Sequence, residues 1–168
     1  GGSAGVSIED VASGSIVALT KSDNANISGG AELNLEVNEV NDEVVVSSAT
    51  KTLNIEAADN SDNGFNLAAP AATALAISGG GSIAITNDLG DTDLKDILKV
   101  DGSGATGSIN ISVDGSKITS VDTGSAGDML HVKGSHADAE YNTNGGNDTV
   151  EVDDFGSSAK LNTGGGVD

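Results

Sequence analysis

Single-residue alternation of apolar and polar side chains runs through most of this chain, and it predicts strands. It is clearest at Leu33-Asn34-Leu35-Glu36-Val37, Leu53-Asn54-Ile55-Glu56-Ala57 and Ile109-Asn110-Ile111-Ser112-Val113, with shorter versions at Leu75-Ala76-Ile77 and Ile83-Ala84-Ile85. Successive side chains leave a strand on opposite faces, so each segment puts one face in a core and the other in water. Gly, Asn and Asp separate these segments, as turn residues do. One stretch departs from the pattern: Leu94, Ile97 and Leu98 fall on one side of a helix, with Asp91 or Thr92 placed to cap it. The pattern predicts an all-β chain with one or two helical turns between Asp91 and Lys99. The single proline, Pro70, lies between two predicted strands and marks a loop.

From about residue 98 a repeat emerges. Val121-Asp122-Thr123-Gly124-Ser125-Ala126-Gly127-Asp128, Tyr141-Asn142-Thr143-Asn144-Gly145-Gly146-Asn147-Asp148 and Leu161-Asn162-Thr163-Gly164-Gly165-Gly166-Val167-Asp168 align without gaps, each position 20 residues from its equivalent. A weaker copy, Val100 to Ile109, has Ser108 in the place of the Asp. A short fixed period means stacked, near-identical coils. Residues 98–168 are therefore predicted to form a stacked parallel β-solenoid, or β-roll. Residues 1–97, whose strands are irregularly spaced, are predicted to form a β-strand-rich segment that either continues the solenoid or makes a small sandwich. The third loop breaks off at Asp168, which predicts that the chain is a stretch of a longer protein.

Composition narrows the core and the partners. With two Phe, one Tyr and no Trp, the interior must be filled by Val, Ile, Leu and Ala, which suit a thin stacked-sheet core. A formal charge of −19, with 26 acidic residues against seven lysines, excludes nucleic acid and anionic membranes as expected partners. The absence of Cys rules out disulfides and thiolate metal sites. No stretch approaches the ~18 apolar residues of a membrane span. Catalytic constellations are missing too: neither His131 nor His136 sits in a recognisable motif, there is no phosphate-cradling Gly-Lys-Ser/Thr, and no enzymatic role is expected.

The repeated loops carry the candidate chemistry. Stacked coils rise by about 4.8 Å, so Asp128, Asp148 and Asp168 form a ladder of carboxylates along one edge. Two such charges ~5 Å apart repel by roughly 1 to 3 kcal/mol, depending on screening, unless a cation lies between them. Hard cations take six to eight oxygens from carboxylates and carbonyls, and glycines permit the backbone to turn carbonyls inward. The expected ion is calcium, shared between Asp128 and Asp148 and between Asp148 and Asp168. The candidate ligand set adds Thr123, Gly124, Thr143, Asn144, Gly145, Gly146, Thr163 and Gly164 from the loops, and Asp122 and Asn142 at their entrances. The intervening half-turns lack a matching ladder, because Asp138 is followed 20 residues on by Ser158. Calcium is thus expected on one edge only, with His131 and His136 facing solvent. Asp59-Asn60-Ser61-Asp62-Asn63-Gly64 starts like an EF-hand loop, but Pro70 occupies the place of its closing Glu, so an Asx-rich turn is expected. Asn87 to Asp93 is a second acidic loop.

The three loops resemble the glycine- and aspartate-rich nonapeptide of RTX proteins, G-G-x-G-x-D-x-U-x, which folds as a parallel β-roll on calcium. Thr143 to Glu151 keeps the fourth Gly, the Asp and the apolar eighth residue; Thr123 to His131 has Ala126 for that Gly; all three loops begin with Thr. The period of 20 also differs from the 18 of two nonapeptides. The wider texture, as in Leu75-Ala76-Ile77-Ser78-Gly79-Gly80-Gly81-Ser82-Ile83, resembles bacterial surface-layer proteins and related type I-secreted surface proteins. This resemblance implies a secreted, self-assembling structural segment at the bacterial cell surface, folded and rigidified by Ca2+. It implies contacts with further copies of itself and with cell-surface polysaccharide, and no membrane insertion. It also leaves open a stalk of an RTX adhesin and the calcium-folding domain of a secreted enzyme.

Overall fold

A computed structural model describes residues 5–85, 87, 93–134 and 136–168. In chain order the strands are β1 (Val6–Val11), β2 (Ile16–Thr20), β3 (Asn24–Gly29), β4 (Glu32–Asn38), β5 (Asn41–Val46), β6 (Thr52–Ala57), β7 (Asp62–Ala68) and β8 (Ala74–Gly79). They continue as β9 (Ser82–Ile85), β10 (Lys99–Ala105), β11 (Ile109–Asp114), β12 (Ser120–Asp122), β13 (Met129–Lys133), β14 (Glu140–Asn142), β15 (Thr149–Val152) and β16 (Lys160–Asn162). Odd strands stack as one parallel sheet and even strands as a second, eight strands each. Each coil contributes one strand to each sheet and returns through two corners. The molecule is a β-solenoid, and both sheets pass through residue 97 without interruption. The described residues before 98 therefore continue the stack and do not form a separate sandwich.

Alternation along the sequence becomes the thin core between the sheets. Leu33, Leu35 and Val37 of β4, Leu53, Ile55 and Ala57 of β6, and Ile109, Ile111 and Val113 of β11 are all buried, while Asn34, Asn54 and Asn110 between them face outward. Phe65 and Tyr141, both fully buried, are the largest of the core side chains. The outward rows have their own ladder: the Asn54 side-chain amide donates to Asn34 Oδ1 at 2.7 Å, one coil down.

Coil length explains why the period was hidden in the first half. Ile16 pairs with Asn34, Thr52 with Ala74 and Lys99 with Ala74, separations of 18, 22 and 25 residues. A spacing of 20 appears singly earlier, as where Glu32 pairs with Thr52, but it holds from coil to coil in the last coils, where Glu140 pairs with Ser120 and with Lys160. The surplus residues are absorbed at the corners. One edge repeats a tight turn in which the fourth N–H donates to the first carbonyl: Ser15 to Ala12, Thr50 to Ser47, Ala72 to Ala69 and Ala139 to His136, at 3.1–3.2 Å. Pro70 takes the second place of one of these turns, where its fixed φ fits.

The predicted helix is replaced by another turn of this edge. Residues 93–96 form hydrogen-bonded turns, and Ile97 donates to the Leu94 carbonyl at 3.2 Å. Leu94 and Ile97 are buried as expected, but Leu98 is 42 % exposed. A spacing of three serves a corner that must turn twice toward the core as well as it serves a helix. The proposed caps, Asp91 and Thr92, lie outside the described residues.

Candidate functional site

The repeated loops occupy the corner at which even strands lead to odd ones. Residues 123–128 join β12 to β13, 143–148 join β14 to β15, and 163–168 follow β16. Strand alternation sets what faces inward there. Val121 and Thr123 point in with Asp122 between them pointing out, and Tyr141, Asn142 and Thr143 repeat this order. Thr123 and Thr143 are fully buried, and each hydroxyl donates to the carbonyl of the next Thr, 3.2 Å to Thr143 and 3.2 Å to Thr163. These hydroxyls tie coil to coil. Asp122 and Asn142 lie outside the corner site: the Asn142 amide donates to Asp122 Oδ1 at 2.8 Å on the outer face.

The three aspartates do form a ladder, and its rungs are separated by backbone N–H groups. Asp128 Oδ1 accepts from the Ile109 N–H at 2.8 Å, Asp148 Oδ1 from the Asp128 N–H at 2.9 Å, and Asp168 Oδ1 from the Asp148 N–H at 3.1 Å. Each carboxylate thus caps the coil before it, which offsets part of the repulsion along the row. Asp128 and Asp148 are buried, while Asp168 is exposed.

The second oxygens distinguish the loops. Asp128 Oδ2 accepts from the Gly124 N–H at 2.9 Å, whereas Asp148 Oδ2 is buried and has no hydrogen-bond partner. Backbone conformation follows the same division. Asn144 and Gly146 have φ of +61° and +137°, matched by Gly164 at +73° and Gly166 at +155°, but neither Gly124 nor Ala126 is left-handed. Ala126 stands where the other loops have glycine, and a side chain is strained in that conformation. The 143–148 and 163–168 loops lie against each other through a Gly145–Gly165 bridge, with the Gly146 N–H donating to the Gly165 carbonyl at 3.0 Å and the Gly165 N–H to the Asn144 carbonyl at 2.9 Å. The Asn144 amide reaches back 2.7 Å to the Thr123 carbonyl. Thr163 is half-buried.

Burial pushes the Asp128 carboxyl above the usual range, with the Asp148 charge adding to it, against hydrogen bonds from Ile109, Thr123 and Gly124 that pull the other way. The sign for stability follows from this direction. The charge-burial penalty is full above the raised folded pKa and is relieved as pH falls through it toward the ordinary 3.8. In chelator, wild type is therefore expected to gain stability relative to Asp128→Asn as pH falls through the acid range. Urea midpoints of both proteins at a series of pH values check this; a constant difference refutes it.

On the opposite edge His136 and Asp138 are exposed, with the Asp138 N–H 3.4 Å from His136 Nδ1. His131, expected to face solvent, is instead half-buried on the outer face of the odd sheet, beside Glu151 and Asp153. The sequence held a signal for this group. Adding the period of 20 to His131 lands on Glu151, and Asp153 lies two residues further on, just past the end of β15. Among the described residues no helix is long and apolar enough to cross a membrane. Comparison with protein families, with curated proteins and with solved structures found no match to this chain.

Proposed function

We propose that this chain is a calcium-stiffened structural segment of a secreted bacterial protein that assembles at the cell surface as a layer or filament. The observation that carries the reading is the buried Asp148 oxygen without a partner, in a glycine-rich corner loop of a parallel β-solenoid. A buried carboxylate oxygen left unpaired is costly, and a hard cation bound there removes the cost. Asp148 and Asp168 are the carboxylates of this site, with carbonyls of the 143–148 and 163–168 loops as the neutral donors. Asp128, whose two oxygens are taken by N–H groups, is the weaker ligand. The likeness of these loops to the RTX nonapeptide supports calcium as the ion and an extracellular setting, where calcium is plentiful. The outer faces, lined with polar residues and strongly acidic overall, suit contacts with other copies and with surface polysaccharide bridged by cations.

Calcium is expected to raise the melting temperature and to promote sheet or filament formation, both reversed by chelator. Circular dichroism melts and electron microscopy with and without calcium check the two parts separately. A melt insensitive to calcium and chelator refutes ion binding. A calcium-stabilised chain that stays monomeric at all concentrations refutes the assembly.

A further inference from the structure

We propose that the outer face of the odd sheet carries a second cation site of different chemistry, in which His131, Glu151 and Asp153 hold a divalent transition ion such as zinc. His131 of β13 and Glu151 of β15 are direct partners in adjacent strands, and Asp153 follows just past the end of β15. One ligand atom from each of the three lies within 4.8 Å of the others. The Nε2 atom of His131 is buried without a hydrogen-bond partner, and Asp153 Oδ1 stands 3.6 Å from it, beyond hydrogen-bonding distance. An ion bonded to both atoms at about 2.1 Å would see them at an angle of roughly 120°, close to the tetrahedral preference of zinc. The gap that is too wide for a hydrogen bond thus suits a metal between the two atoms.

Ligand type separates this site from the aspartate corner. Calcium takes oxygen donors, whereas one imidazole with two carboxylates suits zinc and its neighbours in the transition series. The His131 and Asp153 side chains are 26 % and 51 % exposed, so the remaining coordination positions open to solvent. A simple ion pair between His131 and Asp153 would leave Glu151 without a part. Lys133, two residues along β13 on the same outward row, is the positive charge that the bound ion must tolerate.

The test is calorimetric titration of zinc into the chain kept in millimolar calcium, so that oxygen-only sites are filled. One zinc per chain is expected, with affinity reduced at least about tenfold by His131→Gln, by Glu151→Gln and by Asp153→Asn, and unchanged by His136→Gln. Cobalt in place of zinc is expected to show visible absorption bands that His131→Gln abolishes. No zinc uptake at ~100 μM overturns the proposal, as does an isotherm that His131→Gln leaves unaltered or that His136→Gln removes. Circular dichroism checks the fold of each variant. If His131→Gln disturbs it, the more exposed Asp153→Asn decides: unchanged zinc affinity in that variant overturns the site.

Discussion

Replacing Asp148 with Asn is expected to leave the calcium-free protein nearly as stable as wild type and to remove most of the stabilisation that calcium confers. The amide oxygen can still accept from the Asp128 N–H, so the coil before it stays capped. What is lost is the charge and the unpartnered oxygen proposed to bind the ion. Ion binding to the folded state contributes about 2.7 kcal/mol at a hundredfold excess over its dissociation constant. For a domain of this size that is a shift in melting temperature of roughly 5 to 11 °C. Asp148→Ala is expected to do worse in both conditions, because it also leaves the buried Asp128 N–H unpaired, at a cost of about 1–3 kcal/mol. Tyr141 makes the measurement local. It is the single tyrosine, there is no tryptophan, and it is fully buried one strand before the Asp148 loop, with Phe155 tilted against it at a centroid distance of 6.1 Å. Equal calcium-induced shifts in wild type and Asp148→Asn, followed by tyrosine fluorescence, would remove Asp148 from the site.

Phe65→Ala has the largest expected effect on the fold itself, about 3–5 kcal/mol. Phe65 is fully buried in β7, between β5 and β9 of the odd sheet, and its removal takes away the largest buried side chain of the first half of the core. Coils in a solenoid touch only their neighbours, so a weakened coil need not bring down the whole stack. The expected outcome is two separated transitions in denaturant. The β-sheet signal in circular dichroism begins to fall early, while tyrosine fluorescence from the last coils keeps its wild-type midpoint. Coincident transitions in the variant would show a single cooperative unit and would refute this division.

The strands were legible because a half-buried strand can hardly avoid alternation, and Leu33, Leu35 and Val37 or Ile109, Ile111 and Val113 carry it without a break. The stacking was legible only where the period is constant. Between Ile16 and Val100 the coils lengthen and shorten at their corners, and corner residues obey turn geometry and show no shared spacing. Leu94 and Ile97 show the same limit: three residues apart, they fit a helix or a corner, and only the strands on either side decide. At the site, the aspartate ladder followed from the repeat, but the N–H groups between its rungs did not. Backbone donors come from every residue type and leave no mark in a sequence. The outward placement of Asp122 and Asn142 could have been read from alternation alone, since each stands between two inward residues. The distinction between Asp128 and Asp148 goes with backbone conformation: Ala126 carries a methyl group where the other two loops have a left-handed glycine, and Gly124 is not left-handed where Asn144 and Gly164 are.

The hydrogen bonds that join one coil to the next lie along the axis of the stack in both sheets. Tension applied along that axis therefore pulls on these bonds end to end, and coils detach one at a time. Each coil of 20 residues that detaches exchanges a rise of about 4.8 Å for roughly 70 Å of extended chain. A segment of this kind lengthens in steps of similar size under load, dissipating work at every step, and the ion proposed between the Asp148 and Asp168 loops would raise the force at which those two coils part.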